Sequence, residues 1–339
     1  MNQSTHKIVK VFYNSIFFLS LMNITLYGTE QNLMKSDRSA VTYTLDYVGR
    51  FGDQLLNYIK AAYLSWKYEV TLLYTPFDFS DQLALSKMHT QYLNEHTKNQ
   101  YSRIFHLDSN SDIKLMNQVI DELENNTRNT LYEIPYYFPQ WEWEDEKFHL
   151  KLAELIKPIK TVDLIKIPQD QISVAVHVRS KNSGFDLAAV VEKMPSKFPP
   201  YDFYLNGLKE IAQIFSNKPL YIFLFTDDPD PIKIREEFDR HLKKWMKSYT
   251  IECRPSPHKF DLYVLEDFFS MIQFDCLIFP SSAYSLSIAA VSAPLIEITT
   301  PGWNIYSVDS NGNIIIDNAV KIRSEKRKKI IKNFNYFMR

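Results

Sequence analysis

The chain has 339 residues, 45% of them hydrophobic, enough for about two domains each with its own core. A formal net charge of −1 and a pI near 6.7 give it no general electrostatic pull toward nucleic acid. Two cysteines, Cys253 and Cys276, are too few for a disulfide framework or a cysteine-rich zinc site; both fall in strand-like runs and read as buried free thiols.

The N-terminus stands apart. Lys7 and Lys10 precede an uncharged apolar stretch over 11–27, interrupted by Asn14 and Asn23. About 17 residues are marginal for a bilayer span. Residues 1–28 therefore read as a hydrophobic leader, either a signal peptide or an anchor, and imply membrane association through that segment. A cytoplasmic location is the alternative if the leader is not used.

Residues 41–47 (Val-Thr-Tyr-Thr-Leu-Asp-Tyr) form the first strand pattern. The turn Gly49-Arg50-Phe51-Gly52-Asp53-Gln54 follows, then a helical pattern over 55–64 and a strand over 70–74. Strand, glycine turn, helix and strand make a βαβ unit, expected to be parallel and right-handed. Gly49 and Gly52 permit close backbone approach to a ligand, or simply a tight turn, and Asp53 is a candidate helix cap. Residues 78–131 are polar and helix-prone. The aromatic patch over 136–143 either stacks on a sugar face or fills gaps in the packing. Glu142, Glu144, Asp145 and Glu146 suit the start of a helix running to about residue 156. Pro158 and Pro168 bracket an inter-domain connection.

The second half keeps a cleaner α/β rhythm. Ile172, Val174, Val176 and Val178 alternate with small or polar residues, the pattern of a buried strand. His177 and Arg179 at its end share one face. Such an end admits two readings, a phosphate grip by the guanidinium fork or a salt bridge beside a satisfied histidine. Helices are expected over 201–215, 231–247, 262–274 and 284–291. Strands are expected over 220–225, 249–253, 276–279 and 294–298. Alternation of this kind predicts parallel, doubly wound sheets. Ligands bind outside the carboxyl ends of such strands. One rim would then gather His177, Arg179, Asp227, Asp228, Ser281 and Ser282. An arginine, helix N-terminal amides near Ser282 and Ser285, and two aspartates suit a nucleoside diphosphate. No Gly-x-Gly-x-x-Gly or Walker loop follows any strand, which argues against a dinucleotide-dependent oxidoreductase. The tail carries Lys321, Arg323, Lys326, Arg327, Lys328, Lys329 and Lys332, a solvated face or a contact for anionic lipid.

These stretches resemble a known family. Gly49-Arg50-Phe51-Gly52-Asp53-Gln54 is similar to the Gly-Arg-Leu-Gly-Asn-Gln opening of α-1,2-fucosyltransferases, glycosyltransferase family 11. Tyr137-Phe138-Pro139-Gln140 resembles their Tyr-Phe-Gln segment before a helix. His177-Val178-Arg179 is similar to the His-x-Arg-Arg-x-Asp motif of α-1,2-, α-1,6- and protein O-fucosyltransferases. Phe225-Thr226-Asp227-Asp228-Pro229 looks like their Phe-Ser-Asp-Asp-Pro. Glu266-Asp267-Phe268 and Ser282-Ala283-Tyr284-Ser285 resemble Glu-Asp-x-x-x-Met and Asn-Ser-x-Phe-Ser. The matches occur in the family's order over about residues 41–300.

The resemblance implies a GT-B-like α/β fold of two Rossmann-like, doubly wound parallel-sheet domains facing a cleft. Residues 40–165 would form the acceptor side and 166–300 the nucleotide-sugar side, with 301–339 a C-terminal extension. It implies an inverting, metal-independent enzyme that moves fucose from GDP-fucose to a glycan hydroxyl, α-1,2 to galactose. Arg179 would hold the donor β-phosphate, with His177 beside the nucleotide, Asp267 near guanine and Ser282 on the phosphates. Asp227 and Asp228 would line the same cleft, with Ser285, Gly49, Arg50 and Gly52 as further donor-binding candidates. Asp186 is the candidate general base. The chain departs from the pattern at Ser180, where the family has its second arginine, and at Asn182, where it has aspartate. Asp53 replaces an asparagine, and Leu286 and Ser287 stand at the family's tryptophan pair. A catalytically inactive nucleotide-sugar or glycan-binding protein on the same scaffold is the alternative.

Overall fold

The computed structural model describes residues 39–45, 49–91, 95–107, 113–125, 129–135, 145–181, 194–215, 218–255, 263–292 and 294–300. It also gives the backbone of 307–308, 314–315 and 319–322. The leader, the aromatic patch over 136–143, Asn182, Asp186 and the basic tail beyond Ile322 lie outside the described residues. Among the described residues no helix is long and apolar enough to cross a membrane.

Two sheets organise the chain. The first holds β1 (Ala40–Tyr43), β2 (Thr71–Tyr74), β3 (Thr90–Gln91), β4 (Arg103–His106) and β5 (Thr130–Ile134) in the order 3-2-1-5-4. All its pairings are parallel. The helices of this half are α1 (Phe51–Tyr68), the single turns α2 (Leu85–Met88) and α3 (Glu95–Lys98), α4 (Ile113–Glu124) and α5 (Glu146–Ile156). The second half runs β6 (Ile172–Val178), α6 (Tyr201–Ile214), β7 (Leu220–Thr226), α7 (Pro231–Leu242), β8 (Tyr249–Cys253) and α8 (Val264–Met271). It continues with β9 (Cys276–Phe279), α9 (Ala283–Ser292) and β10 (Ile296–Thr299). Its parallel strands lie in the order 10-9-6-7-8. After a short ribbon of β11 (Ser307–Val308) and β12 (Ile314–Ile315), β13 (Ala319–Ile322) joins β10 antiparallel. The second sheet thus continues past residue 300, into the segment the sequence assigns to an extension.

This is the expected GT-B-like arrangement of two doubly wound sheets. Each reverses its strand order beside its own first strand, between β1 and β5 and between β6 and β9. Those are the topological switch points where such sheets open a crevice.

Local chemistry accounts for most element boundaries. In β6, Val174, Ala175, Val176 and Val178 are all buried, since helices cover both faces of a parallel sheet. Asp145 caps α5 by accepting from the backbone N–H groups of Lys147 and Phe148 at 2.8 and 3.1 Å, as the acidic run implied. The expected glycine turn at 49–54 is instead the beginning of α1. Arg50 occupies the N-cap position and Gly52 lies within the first turn, so Asp53 is inside the helix rather than its cap. The polar stretch 78–131 conceals β3, β4 and the fully buried start of β5, because its strands are short or flanked by polar residues. Cys276 is buried as expected, while Cys253 is only half-buried; both are free thiols.

The two halves share one core. Phe51 at the start of α1 meets Phe268 of α8 edge-on at 5.5 Å between centroids, and α1 packs along α9. Leu55, Tyr58 and Ile59 join Leu265, Phe269 and Ile288 in a continuous apolar cluster. This shared packing sets the two sheets on either side of the crevice.

The core also sets a pH dependence. The Tyr58 hydroxyl and His89 Nε2 lie 3.1 Å apart. Burial, helped by Lys151, lowers the His89 pKa to about 4. The unfolded chain takes up this proton near pH 6.5, so it binds more protons than the fold between about 6.5 and 4. The stability that neutral His89 contributes is therefore complete above pH 6.5 and lost as pH falls through 4. Thermal melts across that window should show a falling Tm in the wild type and a flatter profile in His89→Gln.

Candidate functional site

One cleft of about 270 Å³ lies between the halves, at the switch point of the second sheet. Arg50, Phe51, Gly52, Asp53, Asp78 and Phe79 line it from the first half. His177, Arg179, Lys197, Asp227, Asp267 and Ser282 face them from the second. The sequence-derived rim is thus brought together, with exceptions described below.

Arg179 extends from the end of β6, and its backbone N–H donates to the Tyr204 hydroxyl at 3.3 Å. Burial keeps that phenol pKa well above its ordinary value, so Tyr204 is a neutral anchor. The Arg179 side chain pairs with Asp227, Nη1 to Oδ2 at 2.7 Å, and the two are 12% and 7% exposed. The strand end therefore carries the salt bridge of one reading, and its guanidinium also lines the cleft. A guanidinium carries its donors in a rigid planar fork, and the Asp227 contact helps set its orientation.

Ser180 explains the other half of the acidic pair. Its N–H donates to Asp227 Oδ1 at 2.7 Å and its hydroxyl to Asp228 Oδ2 at 2.5 Å. Asp228 Oδ1 also accepts from the Asp230 N–H at 2.8 Å. Asp228 consequently holds a loop together and does not line the cleft, whereas Asp227 does. A serine fits here because its short hydroxyl reaches the carboxylate directly.

His177 is largely buried where it lines the cleft, its Nδ1 2.5 Å from the Ser285 hydroxyl. Ser285 Oγ lies 3.0 Å from Ser282 Oγ, and the Ser285 N–H donates to Ser282 Oγ at 3.3 Å. The chain His177–Ser285–Ser282 fixes the N-terminus of α9, where backbone amides and the helix dipole favour an anion. Ser282 faces the cleft, while Ser285 lies one layer deeper. Tyr284 donates to the Val264 carbonyl at 2.8 Å, tying α9 to α8. Burial, followed by Asp267 and Glu266, pushes its phenol far above its ordinary range.

The glycines act locally. A Cβ on Gly49 would meet Asp53 Oδ2 at 2.4 Å, and Gly49 is not part of the cleft wall. A Cβ on Gly52 would meet the backbone of Tyr284, 2.4 Å from Cα and 2.5 Å from N. Gly52 lines the cleft, yet its close approach is to the other half of the molecule rather than to open space.

Two basic residues escape the sequence reading. Lys197 lines the cleft from a 3₁₀ turn, Pro195–Lys197. That turn is pinned where the Ser196 carbonyl accepts from the Thr300 hydroxyl at 3.0 Å and the Ser281 N–H at 3.3 Å. Nothing in the local sequence announces such a long-range anchor. Arg254 pairs with Asp267, Nε to Oδ1 at 2.6 Å. It follows β8 directly, so the rule that singled out Arg179 would have found it. Among the described residues, three cations, Arg50, Arg179 and Lys197, line the cleft with four carboxylates, Asp53, Asp78, Asp227 and Asp267. An anion would therefore be held by directed donors and helix amides rather than by surplus positive charge. Among the described residues no group of three or more His, Cys, Asp or Glu is placed to hold a metal ion.

The same architecture occurs in solved structures. FUT1 from Arabidopsis thaliana, a mutant in complex with GDP, superposes with a TM-score of 0.54 at 9% identity, over 87% of this chain and 77% of that one. POFUT1 in complex with GDP-fucose gives 0.39 at 12% identity over 75% and 94%. The fucosyltransferase NodZ from Bradyrhizobium gives 0.42 at 14% over 85% and 100%. No family model matches the chain, and no curated protein matches it in sequence. With its two parallel-strand sheets, the chain therefore has a GT-B-like fold, shared with FUT1.

Proposed function

We propose that the protein is a glycosyltransferase that transfers fucose from GDP-fucose to a glycan hydroxyl, with inversion and without a metal. The reading is carried by one observation: Arg179, Asp267 and Ser282, far apart in sequence, line one cleft at the switch point of the second sheet. The fold shared with FUT1, crystallised with GDP, supports it. The motif order through Gly49, Arg50, Gly52, His177 and Asp227 supports it further.

In this reading Arg179 and the α9 amides at Ser282 hold the diphosphate. They stabilise the charge that grows on the β-phosphate oxygen as the bond to the fucose anomeric carbon breaks. The acceptor oxygen attacks that carbon from the opposite face and its proton passes to a carboxylate, for which Asp186 is the candidate. Asp267 takes the guanine edge, and His177 with Ser285 keeps Ser282 in place. The acceptor is a galactoside and the linkage α-1,2, following the resemblance of the 49–54 stretch. A membrane-associated site of action follows from the leader at 1–28.

Incubation with GDP-fucose and a panel of galactosides, with and without chelator, tests the reading. The expected outcome is chelator-insensitive GDP release coupled to a fucosylated product. A second reading, a nucleotide-sugar-binding protein without transfer, draws on the Arg179–Asp227 pair and on Ser180 bound to Asp228. Tight GDP binding with neither transfer nor donor hydrolysis would select it.

A further inference from the structure

At the mouth of β8 the Arg254 side chain is clamped on two sides. Its guanidinium carbon lies 4.6 Å from the Tyr263 ring centroid, and its Nε meets Asp267 at 2.6 Å. Tyr263 and Asp267 are one helical turn apart, joined by the Asp267 N–H to Tyr263 carbonyl bond at 2.9 Å. The start of α8 therefore fixes the ring and the carboxylate together. Arg254 Nη2 is buried and has no hydrogen-bond partner among the described residues. Buried polar atoms are nearly always satisfied, and a charged donor left idle is costly, so the position points to an acceptor supplied from outside.

The surroundings indicate which acceptor. Beside Arg254 is a crevice of about 10 Å³, room for one water-sized group. It shares Phe225, Thr226 and Asp267 with the main cleft. Phe51, Phe79, Val264 and Met271 give that cleft apolar walls suited to a flat ring. A planar ring edge reaching this corner meets a charged donor next to a charged acceptor.

We propose that Arg254 is the residue that selects the nucleobase, reading with Asp267 a purine edge that carries a keto oxygen beside a ring N–H. Arg254 Nη2 donates to the keto oxygen, and Asp267 accepts from the neighbouring N–H groups. Guanine and hypoxanthine present that order. Adenine presents an amino group where the keto oxygen must be, which sets donor against donor and nitrogen lone pair against carboxylate. Arg254 also holds the Asp267 carboxylate in register, so both halves of the reading depend on it. The proposal rests on the donor-binding reading above and adds the residue that makes it selective.

Calorimetric titration of the full chain with GDP, IDP, ADP and GMP tests it, using wild type, Arg254→Ala and Arg254→Lys. Wild type should bind GDP and IDP at least about 100-fold more tightly than ADP. A lost charge-assisted bond corresponds to about 10–100-fold, so Arg254→Ala should weaken GDP by that factor and ADP by less than about threefold. The GDP-to-GMP ratio, which reports the diphosphate grip, should stay the same. Arg254→Lys keeps the charge beside Asp267 but loses the planar fork, and should lose at least about tenfold in GDP-over-ADP preference. It serves as the test if Arg254→Ala does not fold. Equal weakening of GDP and ADP, or unchanged preference in both variants, would overturn the assignment of Arg254 while leaving the donor reading intact. Wild type that binds none of the four would overturn both.

Discussion

Arg179→Lys should fold like the wild type and lose about 10²–10³-fold in kcat/KM for GDP-fucose. A lysine keeps a positive charge beside Asp227, which is 7% exposed and stands 2.7 Å from the guanidinium. What disappears is the rigid fork that places donors on the leaving diphosphate, a contact of the kind worth about 3–4 kcal/mol when it acts in the transition state. Arg179→Ala is the poorer test. It leaves the Asp227 carboxylate buried without its cation, a change that costs about 3–5 kcal/mol of stability in comparable pairs. The contrast between the two variants separates chemistry from folding. Melting curves should show Lys close to wild type and Ala well below it. Full activity in Arg179→Lys would mean that the fork does not touch the donor.

Gly52→Ala should be the most damaging small substitution at the junction of the two halves. The added methyl would lie 2.4–2.7 Å from the Cα, N and Cβ of Tyr284, so relief requires movement of two helix starts rather than of one flexible side chain. Overpacking of this sort costs about 1–3 kcal/mol. The strain falls on the α9 N-terminus, where Ser282 faces the cleft. A lowered Tm should therefore accompany weakened nucleotide binding. Gly49→Ala offers the control, since its nearest contact is the flexible Asp53 carboxylate. If Gly52→Ala melts and binds as the wild type does, the close contact with Tyr284 does not set the geometry of the cleft.

The second sheet was almost wholly readable from the chain. Its central strands are apolar runs such as Leu220–Thr226 and Cys276–Phe279, buried on both faces, and each ends in polar residues that mark the rim. The first sheet was half hidden. β3 and β4 are short, with exposed residues in β4, so no periodicity announces them, and they exist because β2 and β5 offer them partners. Within the site, Arg179, Asp227 and Ser282 were legible because they follow strands or open a helix, and Asp267 through the resemblance of Glu266-Asp267-Phe268 to a family motif. Asp228 and Ser285 looked identical to these by position, yet face inward to Ser180 and His177. Position along the chain fixes the rim but not the direction in which a side chain points. Lys197 depends on hydrogen bonds to residues 281 and 300, contacts a local pattern does not carry.

The proposed function depends on a single property, a diphosphate site that works by directed donors in a cleft whose described residues carry no excess positive charge. Titration of the wild-type chain with GDP in the presence of chelator, repeated with Arg179→Lys, measures it directly. The account predicts one saturable site unaffected by chelator, and binding at least about tenfold weaker in the variant. Absence of GDP binding by folded wild type, or equal affinity in the two proteins, would contradict it.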